Sequence, residues 1–119
     1  MKHQVKGRKF SRIRKQRRAL IRSLVESLII REKITTTEAK AKELKGIVDK
    51  IITKAKKIKD GNKVAVIRDL NKRVSPIAVK KLSGDFLKKL DGRTSGYTRV
   101  SKLGKRKGDS AKMAVIEFM

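Results

Sequence analysis

The sequence predicts an α+β fold, in which about four helices and a small sheet follow a basic N-terminal arm. Apolar residues recur at helical spacing from residue 11 to about residue 90, and after Gly92 the pattern alternates as in a strand hairpin. Residues Met1 to Lys9 contain four Lys+Arg and no acid, which is typical of a solvated arm. We therefore expect a basic arm over residues 1–10 and a single domain over residues 11–119.

The first helix is predicted to begin near Ser11, a suitable N-cap residue. A second face of this helix carries Arg14, Arg18 and Arg22, whose spacing of four stacks them into a charged ridge. Its apolar face is predicted to consist of Ile13, Leu20, Ile21, Leu24, Val25, Leu28 and Ile29.

A short β-branched segment, Lys33 to Thr36, predicts a strand, after which Thr36 or Thr37 can cap a second helix with Glu38 in its first turn. Asp60-Gly61 is expected to end that helix. Gly46 lies inside it and indicates either close packing or a tolerated cost of about 1 kcal/mol. Its apolar stripe is predicted to consist of Leu44, Ile47, Val48, Ile51, Ile52, Ala55 and Ile58.

Two shorter helices are predicted next. Asn62 is expected to cap the third helix, and Ser75-Pro76 is expected to begin a fourth that ends near Leu82. Residues Asp85 to Leu90 are compatible with either a helical turn or a packed loop. The apolar residues of the third helix are predicted to include Val64, Ile67, Leu70 and Val74.

The C-terminal part predicts a hairpin. In its first strand Tyr97, Arg99, Ser101 and Leu103 are expected to share one face, opposite Thr98, Val100 and Lys102. Met113 to Met119 predicts the second strand. The intervening Gly104 to Lys112 is too long for a tight turn, and its lysines and arginine indicate either a tip that reaches an anionic partner or a mobile loop.

Charge indicates the class of partner. The chain has 35 Lys+Arg against 11 Asp+Glu, a formal net charge of +24. Such self-repulsion is expected to be relieved by a polyanion, although charge alone does not identify which one. The absence of cysteine excludes disulfides and thiolate metal sites, and it favours a reducing compartment. No apolar run approaches the ~20 residues of a membrane span, and no signal peptide is indicated.

The residues that are candidates for binding nucleic acid lie in three places: the arm, the ridge of the first helix and the hairpin. Tyr97 could stack on an unpaired base beside Arg99, or it could belong to the core. The loop lacks the residue order of a phosphate-binding P-loop. The predicted RNA-binding residues are Lys2, His3, Lys6, Arg8, Lys9, Arg12, Arg14, Lys15, Arg17, Arg18, Arg22, Tyr97, Arg99, Lys102, Lys105, Arg106 and Lys107.

Catalytic chemistry has few candidate residues. The single histidine, His3, lies in the arm, where no partner can orient it. Glu43 and Asp49 lie among lysines and are expected to form surface ion pairs. We therefore predict no catalytic residue, no metal site, no cofactor and no small-molecule substrate.

Short motifs along nearly the whole chain resemble the bacterial-type large-subunit ribosomal protein seventeen family. The opening arm and first helix contribute Met1-Lys2-His3, Gly7-Arg8-Lys9, Arg18-Ala19-Leu20 and Ser27-Leu28-Ile29. The strand-to-helix signature comprises Glu32, Ile34, Thr36-Thr37 and Ala41-Lys42-Glu43-Leu44. The hairpin contributes Gly96-Tyr97-Thr98-Arg99-Val100, Leu103-Gly104, Arg106, Gly108-Asp109, Met113-Ala114 and Ile116-Glu117. Each motif is weak alone, whereas their order and spacing are specific.

The resemblance implies helix–strand–helix–helix–helix–strand–strand order with one mixed three-stranded sheet. It also implies a cytoplasmic protein of the large ribosomal subunit, in contact with large-subunit rRNA and neighbouring ribosomal proteins on the solvent side near the peptide exit. Departures from the family pattern are Gln16 and Arg31 in place of frequent histidines, Glu38 in place of leucine and Ser95 in place of glycine. They affect single contacts, mainly at Gln16.

Two other classes of function are compatible with parts of the sequence. The charge permits a nucleoid-associated DNA-binding protein. An RNA-processing enzyme is disfavoured because suitable catalytic groups are missing. A basic amphipathic helix can also lie on a membrane, but the first helix has no aromatic anchor after Phe10.

Overall fold

A computed structural model describes residues 13–60, 63–90, 92 and 96–119. The predicted element order is confirmed. The helices are α1 (Arg14–Arg31), α2 (Glu38–Lys56), α3 (Lys63–Asn71) and α4 (Pro76–Leu82), and the strands are β1 (Lys33–Thr37), β2 (Thr98–Lys105) and β3 (Lys112–Phe118). Two 3-10 helices, Lys57–Asp60 and Asp85–Leu90, follow α2 and α4.

The strands form one sheet in the order β1-β3-β2, and both pairings are antiparallel. The expectation of a mixed sheet was therefore wrong, because β3 runs opposite to both of its neighbours. Lys33 pairs with Glu117 on one side of β3, and Arg99 pairs with the same Glu117 on the other. A β-bulge shifts the register between Lys102 and Lys105, near the hairpin tip.

Helix α2 is the centre of the core. It packs against all three strands and against α1 and α3, because its apolar stripe is wide enough to face both layers. The predicted stripe is confirmed, with Ile47 and Ile58 partly buried at its margins. The fully buried α2 side chains are Ala41, Leu44, Val48, Ile51, Ile52 and Ala55.

Several predicted helix ends differ from the structure. Ile13 occupies the N-cap position of α1 without a side-chain cap, so the choice of Ser11 was wrong; Ser11 itself lies outside the described residues. The α-helical part of α2 ends at Lys56, before Asp60, because the chain tightens there into a 3-10 turn. Asn62, the predicted cap of α3, lies outside the described residues.

The remaining caps are confirmed. Thr37, one of the two alternatives for α2, accepts a hydrogen bond from the backbone N–H of Lys40 at 3.4 Å, and Glu38 lies in the first turn. Ser75 accepts from the N–H of Ala78 at 3.4 Å, with Pro76 at the first helical position. Of the two alternatives for residues 85–90, the helical turn is correct.

Two apolar residues were assigned to the wrong surface. Val64 is 71% exposed, and Val66 is buried instead, because Val66 lies four residues before the buried Leu70 on the core face of α3. Ile13 is 66% exposed, since it precedes the part of α1 that reaches the core. Leu70 and Val74 are buried as predicted.

Glu32 connects three parts of the fold at the turn between α1 and β1. Its carboxylate accepts from Lys81 Nζ at 3.0 Å and from Lys89 Nζ at 2.9 Å, and its backbone carbonyl accepts from the N–H of Phe118 at 3.1 Å. These hydrogen bonds, from Lys89 first and then Lys81, hold the pKa of the carboxyl below its ordinary value of 4.5. Glu32 therefore fastens α4 and the second 3-10 helix to the sheet.

Replacing Glu32 with glutamine is expected to lower the free energy of unfolding by about 1 kcal/mol at pH 7, a modest value because the side chain is 35% exposed. A carboxyl with a depressed folded pKa stabilises above its unfolded pKa and loses that contribution as the pH falls through the folded pKa. The difference between variant and parent should therefore shrink below about pH 4.5. Urea titrations at several pH values measure it, and Glu43→Gln is the control. A gap as large at pH 3 as at pH 7 would contradict this role.

Gly46 lies on the exposed side of α2, and apart from its chain neighbours and the adjacent backbone of its own helix, no described atom is within 4 Å of the position that a Cβ would occupy. Close packing within the described chain, one of the two explanations, was therefore wrong. Gly46→Ala is expected to raise the free energy of unfolding by about 1 kcal/mol, because alanine loses less backbone entropy in a helix. Urea unfolding measures the gain. The same change at Gly108, where φ is +100°, should instead destabilise, and a loss at both positions would refute the prediction.

Candidate nucleic-acid interface

Six of the predicted RNA-binding residues lie outside the described residues: Lys2, His3, Lys6, Arg8, Lys9 and Arg12. Their part in the interface stays a prediction.

The start of α1 extends beyond the core. Residues 14–19 are exposed except for Arg17, which is partly buried, and the first fully buried residue of α1 is Val25. We call Arg14, Lys15, Arg17 and Arg18 the α1 cationic turn. The sequence has no acid before Glu26, and the first turn of α1 has none. Cations at a helix N-terminus oppose the helix dipole, so an external anion would relieve an unfavourable arrangement here.

Arg22, the third member of the predicted ridge, lies at the edge of the body. Its guanidinium donates to the backbone carbonyl of Val74 at 3.2 Å, which joins α1 to the segment before α4. The side chain remains exposed. Arg22 therefore has a structural contact as well as access to a ligand.

Tyr97 belongs to the core. It is 1% exposed, and Lys56 Nζ lies 4.5 Å from the centre of its ring. Its backbone N–H donates to Asp49 Oδ1 at 3.2 Å, and its carbonyl accepts from the N–H of Met119 at 3.0 Å. The ring is therefore covered on the surfaces that a base would need, and base stacking by Tyr97, one of the two alternatives, was wrong. Asp49, expected to form an ion pair, holds the start of the hairpin.

Arg99 faces solvent on the side of the sheet away from α2. It donates to Glu117 Oε1 at 2.7 Å, and Lys33 Nζ lies 4.0 Å from Glu117 Oε2 on the opposite side of β3. The hydrogen bond from Arg99, with the nearby charge of Lys33, lowers the pKa of Glu117. Arg99, Glu117 and Lys33 thus form a row across the three strands with two cations and one anion. This row keeps a net positive charge that can attract an anionic ligand.

The hairpin tip is ordered by one ion pair. Arg106 Nε and a terminal guanidinium nitrogen donate to Asp109 Oδ1 and Oδ2 at 3.1 and 2.5 Å, and the Ala111 N–H also donates to Oδ1 at 3.1 Å. These contacts lower the pKa of Asp109 to about 2. Arg106 is thus engaged within the tip, whereas Lys105 and Lys107 are exposed beside it.

Lys102 points to the inner side of the hairpin, where its Nζ lies 3.7 Å from Glu38 Oε1 at the start of α2. Lys42 contacts the same oxygen at 2.7 Å. Neither Lys42 nor Lys112 is among the RNA-binding residues predicted from the sequence. The i,i+4 spacing of Glu38 and Lys42 could have indicated the first, whereas the second depends on the tertiary fold.

The cations form two groups on different elements. Helix α1 packs against α2, α4 and β1, whereas β2 packs mainly against β3 and α2. Within the described ranges, no cluster of three or more histidine, cysteine or acidic residues could hold a metal ion. The helices described here are all too short or too polar to cross a bilayer. The arrangement presents separate cationic surfaces that suit phosphate contacts.

Comparison with known proteins identifies the family. A family model described as Ribosomal protein L17 matches residues 20–119. The chain is 45% identical over 120 residues to Large ribosomal subunit protein bL17 of Hydrogenobaculum sp. (strain Y04AAS1), covering 100% of this chain and 99% of the relative. It is 44% identical over 119 residues to the protein of the same name from Staphylococcus carnosus (strain TM300), covering 94% and 98%. Since both the model and these relatives extend over most of the sequence, the chain belongs to the ribosomal protein L17 family.

Proposed function

We propose that this chain is a structural constituent of the large ribosomal subunit, where it binds and stabilises large-subunit rRNA and thereby supports translation. The observation that carries the proposal is the α1 cationic turn, which places three exposed cations and the partly buried Arg17 at the unfavourable end of a helix whose first turn has no acid. Phosphates would supply the missing negative charge. The relatives, named as large-subunit proteins, point to rRNA as their source.

The arm and the α1 cationic turn would lie along ribose-phosphate strands as one continuous basic segment. Nine Lys+Arg and no acid occur between Met1 and Arg18. Each phosphate that they neutralise releases counterions, which favours binding at low salt. Because A-form RNA hides its major-groove base edges, recognition would depend on the shape of the folded RNA.

The outer face of the sheet and the hairpin tip would contact a second region of the RNA. Arg99 on the sheet and Lys105 and Lys107 at the tip are exposed, and they lie on a hairpin whose strands are paired. Two cationic surfaces on one small body can hold two RNA segments at a fixed separation. The proposed ligands are Lys2, His3, Lys6, Arg8, Lys9, Arg12, Arg14, Lys15, Arg17, Arg18, Arg22, Arg99, Lys102, Lys105, Arg106 and Lys107.

The remaining features of this role follow from assembly into the subunit. The partners would be rRNA and neighbouring large-subunit proteins, and the location would be the ribosome in the cytoplasm. We propose no enzymatic activity and no small-molecule substrate or cofactor, because the only histidine lies in the basic arm and the described carboxylates serve mainly as partners of lysine and arginine.

Sedimentation of ribosomal particles tests the proposal. The chain carries a C-terminal affinity tag, is expressed in a bacterium that lacks its own copy, and is followed through sucrose gradients in magnesium after DNase treatment. We expect about one copy in each large subunit and none in small subunits. Migration with DNA before DNase treatment, or free migration at the top of the gradient, would refute the role. Turnover of labelled RNA by the purified chain would refute the non-enzymatic part.

A further inference from the structure

An open cleft of about 380 Å³ lies between the start of α2 and the start of β3, next to the tip of the β2–β3 hairpin. It is separate from the α1 cationic turn and from the outer face of the sheet. Its walls are small or charged side chains, so a compact polar group could enter. The lining residues are Thr37, Glu38, Ala39, Lys42, Ala111 and Lys112.

Lysines outnumber the single acid around this cleft. Glu38 Oε1 lies 2.7 Å from Lys42 Nζ and 3.7 Å from Lys102 Nζ. The hydrogen bond from Lys42, followed by the charges of Lys42, Lys102 and Lys112, lowers the pKa of Glu38. One carboxylate therefore faces three ammonium groups, which leaves a positive charge in the cleft.

The hairpin places two lysines opposite each other beside the cleft. Lys105 and Lys112 are directly opposite each other across β2 and β3. Directly opposed residues share a face of the sheet, and like charges in that arrangement are unfavourable unless an anion lies between or beside them. No ion pair joins either lysine within the described parts of the chain.

We infer that the cleft binds a backbone phosphate of the RNA, with Lys42, Lys102 and Lys112 as its ligands and Glu38 as a competing internal anion. This inference rests on the proposed function and extends it to a site that neither the arm nor the first helix provides. Ammonium groups on flexible stems bind phosphate as point charges from several directions. In the free protein Glu38 holds two of these lysines in place, and the incoming phosphate shares them.

Substitutions at Glu38 and at Lys112 are expected to have opposite effects on stability and on RNA binding. Glu38→Gln removes the competing anion and two ion pairs, so it should lower stability and tighten binding severalfold. Lys112→Gln relieves the like-charge pair, so it should leave stability equal or higher and weaken binding. A purely structural role would change stability and binding in the same direction for each variant.

The measurement is binding of the full chain to a transcript of large-subunit rRNA from the source organism, at several salt concentrations, with urea unfolding of each variant. The double variant Lys42→Gln/Lys112→Gln should weaken binding by more than about tenfold and reduce the salt slope by about 2. The control, Lys63→Gln/Lys72→Gln, removes the same charge from exposed positions on and after α3 and should leave the slope unchanged.

The outcomes separate the cleft from the proposed function. Equal losses in the cleft variant and the control, or no loss in the cleft variant while the parent binds, would overturn the cleft and leave the function standing. Weaker binding by Glu38→Gln would overturn the assignment of Glu38 as a competitor. Failure of the parent chain to bind the transcript would overturn the proposed function and the cleft together.

Discussion

A variant with glutamine at Arg14, Lys15 and Arg18 is expected to bind large-subunit rRNA on the order of 100-fold more weakly than the parent at about 0.1 M salt. Each of these cations is exposed at the start of α1 and can contact a phosphate. The loss of three contacts should reduce the slope of log affinity against log salt by about 2 to 3. Filter binding or fluorescence anisotropy over a range of salt concentrations measures both quantities.

The stability of this triple variant is not expected to fall with its affinity for RNA. Glutamine has a helix propensity close to that of lysine and arginine, and removing cations from the N-terminal turn relieves repulsion with the helix dipole. The free energy of unfolding should stay the same or rise by about 1 kcal/mol. The control replaces Lys63, Lys72 and Lys80, which are exposed on other elements, with glutamine. If both triple variants lost affinity and slope equally, general charge rather than the α1 cationic turn would account for binding.

Tyr97→Ala is expected to lower the free energy of unfolding by about 3–5 kcal/mol, because it removes a large buried ring and leaves a cavity. Tyr97 is among the largest fully buried side chains, and Lys56 lies over its ring. Such a loss is a large fraction of the stability of a typical domain. Urea unfolding measures it, and Leu103→Ala, at a side chain that is 49% exposed, should change stability by less than about 0.5 kcal/mol.

A second substitution at Tyr97 distinguishes a core ring from one that stacks on a base. Tyr97→Leu keeps most of the apolar volume and should recover much of the stability lost in the alanine variant, with rRNA affinity unchanged. Stacking on RNA would predict a loss of about 1–3 kcal/mol in binding for leucine, because leucine has no π face. A leucine variant that is stable but binds weakly would contradict our assignment of the ring to the core.

Much of the fold could be predicted because its elements have strong local signals. The stripe of α2 repeats over several turns, and Thr37, Ser75 and Pro76 have chemistry specific to helix starts. Short or weakly patterned elements were less predictable. In α3, which has nine residues, Val64 and Val66 are equally apolar, and only packing against α2 determines which of them is buried.

The candidate site could be predicted by charge but not by geometry. The sequence identifies Arg14 and Arg18 because no acid is near them. It could not show that Arg22 contacts Val74, that Arg106 is held by Asp109 within the tip, or that Tyr97 turns inward at the strand start. The lysines of the cleft were also missed, because Lys42 and Lys112 are far apart in sequence and meet only when β3 packs beside α2.

The position of β3 in the sheet has a consequence for the order of folding. β1 and β2 each pair with β3 and not with each other, so no part of the sheet can form before β3 is available. The contacts that α1 makes with α2 and α4, and those between α2 and α3, join segments closer in sequence, whereas Lys33 must meet Glu117 by closing a long loop, which is entropically costly and slow. During synthesis the helical body would therefore assemble first and the hairpin afterwards. RNA could then engage the start of α1 before the hairpin exists to make its own contacts.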